Sequence, residues 1–469
     1  MKCSAAVLAA SVLAACGANH TFTPAPPDTT GAGAFLDTLQ RRTFGYFWDL
    51  TNPANGLTPD RSPTPSFSSI AAVGFALTAY PIGVEHGYVT RAAARDRALT
   101  TLRFFWTAPQ DSAATGVTGY HGFFYHFLDM TTGRRFQTVE LSTIDTALLL
   151  GGVLTCQSYF DGVDPGEVEI RALAESIYAR TDWQWAQNHL PAIALGWHPE
   201  DGFIPYDWRG YNEAMLIYIL ALGSPTHPVG PEAWTAWTST YSWGIFEGQT
   251  HLGFAPLFGH QYSHVWIDFR AIQDAYMRGR GLDYFENSRR ATLAQQAYAV
   301  ANPGAWTGYG ANLWGLTASD GPADVTLTLS GRSRQFHTYF ARGASFTEIQ
   351  DDGTISPTAA AGSIPFAPEL AIPALLAMRR TYGTNLFSTY GFLDAFNPTF
   401  RGTPQQGRVD PQAGWFDTDY LGIDQGPILA MIENYRTGLV WRLLRGNAHI
   451  VLGLCRAGFT GGWLAGRCP

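Results

Sequence analysis

The strongest constraint on this chain is a rhythm. Stretches with apolar residues at helical spacing recur from Phe35 onward, each parted from the next by a loop rich in Gly, Pro and Asp. The spacing predicts helices over 35–50, 68–80, 91–106, 143–159, 166–188, 212–222, 231–241, 263–278, 284–302, 368–381, 427–435 and 437–448. Strand-like alternation is nearly absent, with 325–329 the exception. A chain that is helical throughout must bury one face of every helix against another. An even set of antiparallel helices with long loops between pairs suits an all-α architecture, an (α/α)6 toroid or six-hairpin barrel with long cleft loops. No strict repeat accompanies it. Apolar residues at 46% and charged residues at 14% of 469 supply ample core, so one domain over 34–469 is the default.

The first residues read as targeting rather than fold. Lys2 makes a short positive start, residues 3–13 are small and apolar, and Leu13-Ala14-Ala15-Cys16 resembles a bacterial lipobox. Residues 1–15 are then a signal peptide, and Cys16 is the lipidated first residue of a membrane-anchored lipoprotein; an ordinary signal peptide cut at an A-x-A-like site is the alternative. Gly17 after the cysteine favours the outer membrane, with the body periplasmic or at the cell surface. The Pro- and Thr-rich tether 16–33 would span roughly 50 Å. Of the other cysteines, Cys455 and Cys468 could pin the carboxyl terminus in an oxidising compartment, while Cys156 reads as a small buried residue. None has the spacing of a structural zinc site.

A net charge of -8, with Lys2 the single lysine, argues against nucleic acid as a partner. The 15 Trp and 21 Tyr suit the flat apolar faces of sugars, although core packing accounts for about half of such rings. In a helical toroid the amino-terminal ends of the inner helices surround one mouth of the ring, so acids that open apolar helices are the informative ones. These are Glu140 with Asp145, then Glu213, then Asp424. Cleaving a glycosidic bond needs one protonated carboxyl and one ionised carboxylate. Each candidate has a plainer reading: Asp145 and Asp424 as helix caps, Glu213 as a complement to the helix dipole. Trp208, Tyr211, Asn212, Trp415 and Tyr420 flank these acids, and the loop 310–320 contributes Trp314 and Asp320. His264 and Asp268, four apart, suggest a structural His-Asp contact on one helical face.

These segments resemble the endo-β-1,2-glucanases of glycoside hydrolase family 144, which carry a glucoamylase-like domain. The matching stretches are Glu140-Leu-Ser-Thr-Ile-Asp145, residues 210–227, 261–270, 314–322 and 353–366, and Ile423-Asp-Gln-Gly-Pro-Ile428 with Glu433-Asn-Tyr435. The resemblance implies an (α/α)6 fold, no metal or other cofactor, and hydrolysis of a β-1,2-glucan poly- or oligosaccharide with inversion. It implies Glu213 as general acid and Asp424 as general base, with Glu140, Asp145, Trp208, Tyr211, Asn212, His264, Asp268, Trp314, Asp320, Trp415 and Tyr420 toward the substrate. Asp320, Asp417 and Asp419 lie in similar loops and stay open as the base. Residues 331–346 fall outside the pattern, leaving open whether cleavage is internal or from an end. The competing readings are a transglycosylase on the same glucan, a non-catalytic glycan-binding lipoprotein, and a lyase using His121, His126 or Tyr125. A monomer is expected.

Overall fold

The structure, a computed structural model, describes residues 31–468. The signal peptide, most of the tether and the Cys16 lipidation site lie outside the described residues. Fifteen α-helices follow in chain order: α1 (Ala32–Leu50), α2 (Ile70–Glu85), α3 (Arg91–Thr107), α4 (Thr143–Tyr159), α5 (Pro165–Ala179), α6 (Met215–Gly223), α7 (Glu232–Thr238), α8 (Tyr262–Trp266), α9 (Ala275–Arg280), α10 (Tyr284–Ala301), α11 (Pro357–Ala361), α12 (Pro368–Tyr382), α13 (Gly422–Arg436), α14 (Leu439–Arg445) and α15 (Ala448–Arg456). Helix dominates, as the periodicity predicts, and one continuous apolar core runs from Phe35 to Leu464.

The helices divide by how they are buried. Helices α2, α4, α6 and α13 are enclosed on nearly every side, as the apolar runs of α2 and α6 and the central apolar stretches of α4 and α13 require. By contrast, α1, α3 and α5 bury one stripe, for example Ala94, Ala98, Leu102 and Phe105 of α3. The enclosed helices pack on one another and on one-stripe helices, α2 against α4 and α13, α4 against α5, α1 against α13 and α6 against α15, and α3 packs against α5. The α2–α4 approach is backbone to backbone. A Cβ on Gly152 would stand 2.1 Å from the Gly74 carbonyl oxygen, and one on Gly74 would stand 2.3 Å from that of Leu148.

Several predicted boundaries need correction. The single helix expected over 263–278 is two short ones, because Ile267 turns extended and Asp268 is drawn out by Arg270 and Arg445. The helix expected over 166–188 stops at Ala179, after which Asp182 accepts from the Trp185 amide in a separate turn. Asn447 caps α15 and so divides the last predicted helix. Helix α13 begins at Gly422, five residues ahead of the expected start, with Pro427 inside it. Pro427 has no N–H to give the Ile423 carbonyl, which instead faces the Tyr262 hydroxyl at 3.5 Å.

Strand is commoner than alternation suggests, but in pieces too short to leave a pattern. The expected strand Val325–Leu329 pairs with Arg332–Phe336 through Ser330 and Gly331, both at positive φ (51° and 74°), a two-residue hairpin turn. The largest sheet joins Gly119–Tyr120, Phe123–Tyr125, Leu141–Ser142, Gly196–His198 and Gly202–Phe203. Three pairs matter for position because they run straight into helices. Ser68–Ser69, ahead of α2, pairs with Phe127–Leu128; Leu141–Ser142 leads into α4; Tyr420–Leu421, ahead of α13, pairs with Arg61–Ser62. The starts of α2, α4 and α13 are thereby tied to loops distant in sequence. Cys455 and Cys468 form a disulfide with Cα atoms 5.4 Å apart, and Cys156 is buried and free. Among the described residues no helix is long and apolar enough to cross a membrane.

Candidate active site

Glu213 occupies the turn immediately before α6. The Asn212 carboxamide oxygen accepts from the Ala214 amide at 3.0 Å and tightens that turn. The Ser263 hydroxyl donates to the Glu213 carbonyl at 2.8 Å and accepts from the Leu216 amide at 3.0 Å, which locks the backbone. The side chain's Oε2 is buried without a hydrogen-bond partner among the described residues. Burial, reinforced by the charge of Asp145, raises its pKa to about 7. The helix dipole alone would have lowered it, so the enclosure decides.

Asp424 stands in the first turn of α13, buried, and caps nothing. The loop acids Asp320, Asp394, Asp417 and Asp419 gather beside it. Asp394 accepts from the Asp320 amide at 2.8 Å and shares a hydrogen bond with the Asp424 carboxyl. Asp417 accepts from the amides of Thr418 and Asp419. Arg61 enters on its strand pairing, donating to Asp320 at 2.8 Å and Asp60 at 3.2 Å, with Asp419 at 4.0 Å. One guanidinium serves several carboxylates, so burial and mutual repulsion push Asp424 up to about 7 and hold Asp394 and Asp417 well above the usual carboxyl range. Oxygens of Asp320, Asp394, Asp417 and Asp424 remain buried and unpaired. Asp320, Asp394 and Asp417 each bring one ligand oxygen within 4.8 Å of the others, the one group among the described residues spaced to take a cation. Protons on Asp394 and Asp417, with Arg61 on Asp320, offset the same charge.

A third cluster forms at α4. Ser142 is its N-cap, accepting from the Asp145 amide at 3.1 Å, while the Asp145 carboxylate accepts from the Ser142 hydroxyl at 2.5 Å. Asp145 is therefore not the cap. His126 lies between Glu140 (2.8 Å from Nδ1) and Asp145 (3.5 Å from Nε2). Burial would lower its pKa, but these carboxylates and Asp60 raise it to about 9, so it is an imidazolium that holds Glu140 low. A cavity of about 240 Å³ joins this cluster to the aspartates, lined by Asp60, Arg61, Ser69, His126, Tyr339 and Ile423 among others. Tyr339 is 51% exposed as a residue, yet enclosure of its hydroxyl and then the fields of Asp424 and Asp394 raise that hydroxyl's pKa above its ordinary value. Tyr262, buried, responds to Asp424, Tyr339 and Glu213 together, which links the two helix-opening acids through one ring.

The fold thus brings Glu213, Asp145, Glu140, Asp424 and Asp320 to one region, with Asn212 shaping the turn. Trp208, half-buried, donates to Thr143 at the start of α4 at 2.9 Å. Other residues expected toward the substrate are buried or packed in the structure. Tyr211 stacks on Tyr284 in the core, Trp314 and Trp415 are wholly buried, and Tyr420 accepts from the Tyr390 amide. His264 and Asp268 do not meet on a helical face, since α8 ends between them. His264, pushed down to about 3 by burial, faces the Ser288 hydroxyl at 3.1 Å, and Asp268 pairs with Arg270 and Arg445. The sequence reading did not single out Asp60, Arg61, Asp394 or Tyr339, and named His126 only within the competing lyase reading. None of these opens an apolar helix, the signal that picked out the candidate acids.

A family model described as "Putative glucoamylase" matches residues 205–448, a little over half of the chain. This chain belongs to the glucoamylase-like family. The resemblance to glycoside hydrolase family 144 is in accord with this. Among solved structures it is similar to a "putative glucoamylase" from Bacteroides uniformis, 31% identical with a TM-score of 0.77 over 92% of this chain and 98% of that one. It is also similar to an endo-β-1,2-glucanase from Chitinophaga pinensis in complex with sophorotriose and glucose, 27% identical with a TM-score of 0.78 over 92% of this chain and 99% of that one. A family relative from Parabacteroides distasonis, an exo β-1,2-glucooligosaccharide sophorohydrolase acting at the non-reducing end, is 29% identical over 456 residues, 89% of this chain. The chain spans 57% of that relative's length.

Proposed function

We propose that this chain is a glycoside hydrolase that cleaves β-1,2-glucan to short oligosaccharides, with Glu213 as general acid and Asp424 as general base of an inverting reaction. The observation that carries the reading is that two acids, each at the start of a buried helix and both acting on Tyr262, each have an unpaired buried oxygen and a pKa near 7. Protonated Glu213 gives its proton to the leaving glycosidic oxygen, while ionised Asp424 takes one from the attacking water on the opposite face of the sugar. Neither step calls on a metal. Asp394, hydrogen-bonded to Asp424, holds the base in place, and the charge of Arg61, paired with Asp320, favours its ionised form. The frame for this cleft is a ring of six helical hairpins, with α2, α4, α6 and α13 among the inner helices, a reading supported by their enclosure on all sides.

Product analysis on linear β-1,2-glucan beside β-1,3- and α-1,4-glucans tests the reading. Activity should fall on the β-1,2 polymer, with inverted anomers released at first and no loss in EDTA. Activity confined to an α-glucan, retention of configuration, or abolition by chelator would each refute it. Early products separate release of sophorose from an end from internal cleavage, the two actions named for the relatives. We further propose that Cys16 anchors the enzyme to the outer membrane by lipid. Cys16→Ser should then move the protein from the membrane fraction to the soluble one, and unchanged partitioning would overturn the anchor.

A further inference from the structure

Behind the aspartate cluster lies a second cavity of about 380 Å³, lined by Trp306, Arg332, Arg334, Gln335, His337 and Asp351 among others. The hairpin over 325–336 builds one wall, and part of it belongs to the stretch outside the family pattern. The Arg342–Asp352 pair separates this cavity from the cleft: Arg342 donates to the His337 carbonyl on one side and to the Asp320 carbonyl on the other.

Arg334 is 7% exposed, sits 4.0 Å over the Trp306 ring and donates to the carbonyls of Gly304 and Ala305. Its Nε is buried with no acceptor. Arg332 donates to the same Gly304 carbonyl at 3.2 Å. Neither guanidinium makes an ion pair with a carboxylate among the described residues, whereas the equally enclosed Arg342 has two bonds to Asp352 at 2.7 and 2.8 Å. The acid beside them, Asp351, is already engaged by the Tyr309 and Tyr298 hydroxyls at 2.7 and 2.9 Å and by the Gly353 amide. Carbonyl oxygens satisfy donors but do not neutralise charge, and burial with the neighbouring Arg332 lowers the Arg334 pKa against the opposing field of Asp351. Two adjoining guanidiniums and the Gln335 carboxamide thus face a space whose two carboxyls are already engaged, Asp352 by Arg342 and Asp351, its pKa raised by burial, by two tyrosine hydroxyls.

We infer that Arg332 and Arg334 form a binding site for an oxyanion, a carboxylate or phosphate group, which takes the free Nε–H of Arg334 together with donors of Arg332 and Gln335. The group arrives either as a free anion or as an acidic substituent on a saccharide. The site stands whether or not Glu213 and Asp424 perform the hydrolysis. Titration calorimetry of the full chain with inorganic phosphate, in phosphate-free buffer, should show saturable binding of one ion per chain, weakened at least tenfold in Arg332→Gln and in Arg334→Gln. Arg334 also ties two loops and stacks on Trp306, so Arg332→Gln, at an exposed position, carries the test if Arg334→Gln fails to fold. A gluco-oligosaccharide bearing one phosphate monoester is then compared with its unsubstituted form. If it binds at least tenfold tighter than phosphate, the ligand is a substituted saccharide; equal affinities assign a free anion. Absence of saturable binding by both, or binding undiminished in Arg332→Gln, overturns the site.

Discussion

Glu213 is subject to opposing influences: the start of α6 favours its charge, and its enclosure disfavours it more. A carboxyl near pKa 7 is half protonated at neutral pH, the condition a proton donor needs. Glu213→Gln keeps the shape but carries no transferable proton, so kcat should fall by roughly 10²–10⁴. Thermal unfolding on the same samples should hold steady or rise, because the buried charge lacks a partner. Asp424→Asn should behave alike; loss of stability with turnover retained would return both to capping roles. The pH profile follows from the signs. The acid acts only when protonated, so the rate falls above about 7; the base acts only when ionised, so it falls below about 7. A narrow bell centred near 7 is expected in kcat/KM, and a plateau reaching pH 9 would place the proton donor elsewhere. Both residues were legible in sequence because each precedes an apolar run. Asp394, in Gly391-Phe392-Leu393-Asp394-Ala395, was not, since nothing local distinguishes it from a loop acid.

Between elements, contact distance and strand pairing do the positioning. Gly152→Ala would force its Cβ into the Gly74 carbonyl across the α2–α4 contact. Destabilisation of about 1–3 kcal/mol or more is expected, read by denaturant melts, since neither rigid backbone can yield. A neutral effect would mean that the two helices are farther apart. His126 reaches the start of α4 because Phe124–Tyr125 pairs with Leu141–Ser142 and the His126 amide donates to the Glu140 carbonyl at 3.0 Å. Its pKa is raised to about 9, so its ion pairs stabilise fully below the unfolded value near 6.5, and that contribution is lost as pH climbs through 9. His126→Gln should accordingly lower the melting temperature more at pH 6 than at pH 10, and an equal drop at both would deny the imidazolium its role. Helix existence was readable at this scale, and helix ends were not. The break after Trp266 depends on Arg445 reaching Asp268 from a helix far along the chain.

For the molecule as a whole, the buried aspartates tie stability to pH. Asp394 and Asp417 have raised pKa values, so the folded state holds protons that the unfolded chain releases, and stability declines as pH rises from about 4 through those values. Asp417→Asn keeps the acceptor for the Thr418 and Asp419 amides and removes the charge. It should raise the melting temperature at pH 8, with the gain shrinking toward pH 5; a gain independent of pH would mean that Asp417 is never charged. Sequence by itself determined the class of fold, because helical periodicity and the burial it demands are local properties of the chain. It also picked out the acids that open buried helices, because a cleft acid and a helix start coincide there. Only the tertiary structure decided which rings fill the core and which loop acids converge on Asp424. Burial and pKa depend on neighbours supplied by segments up to hundreds of residues away, such as Arg61 beside Asp320, and no spacing along one chain encodes that distance.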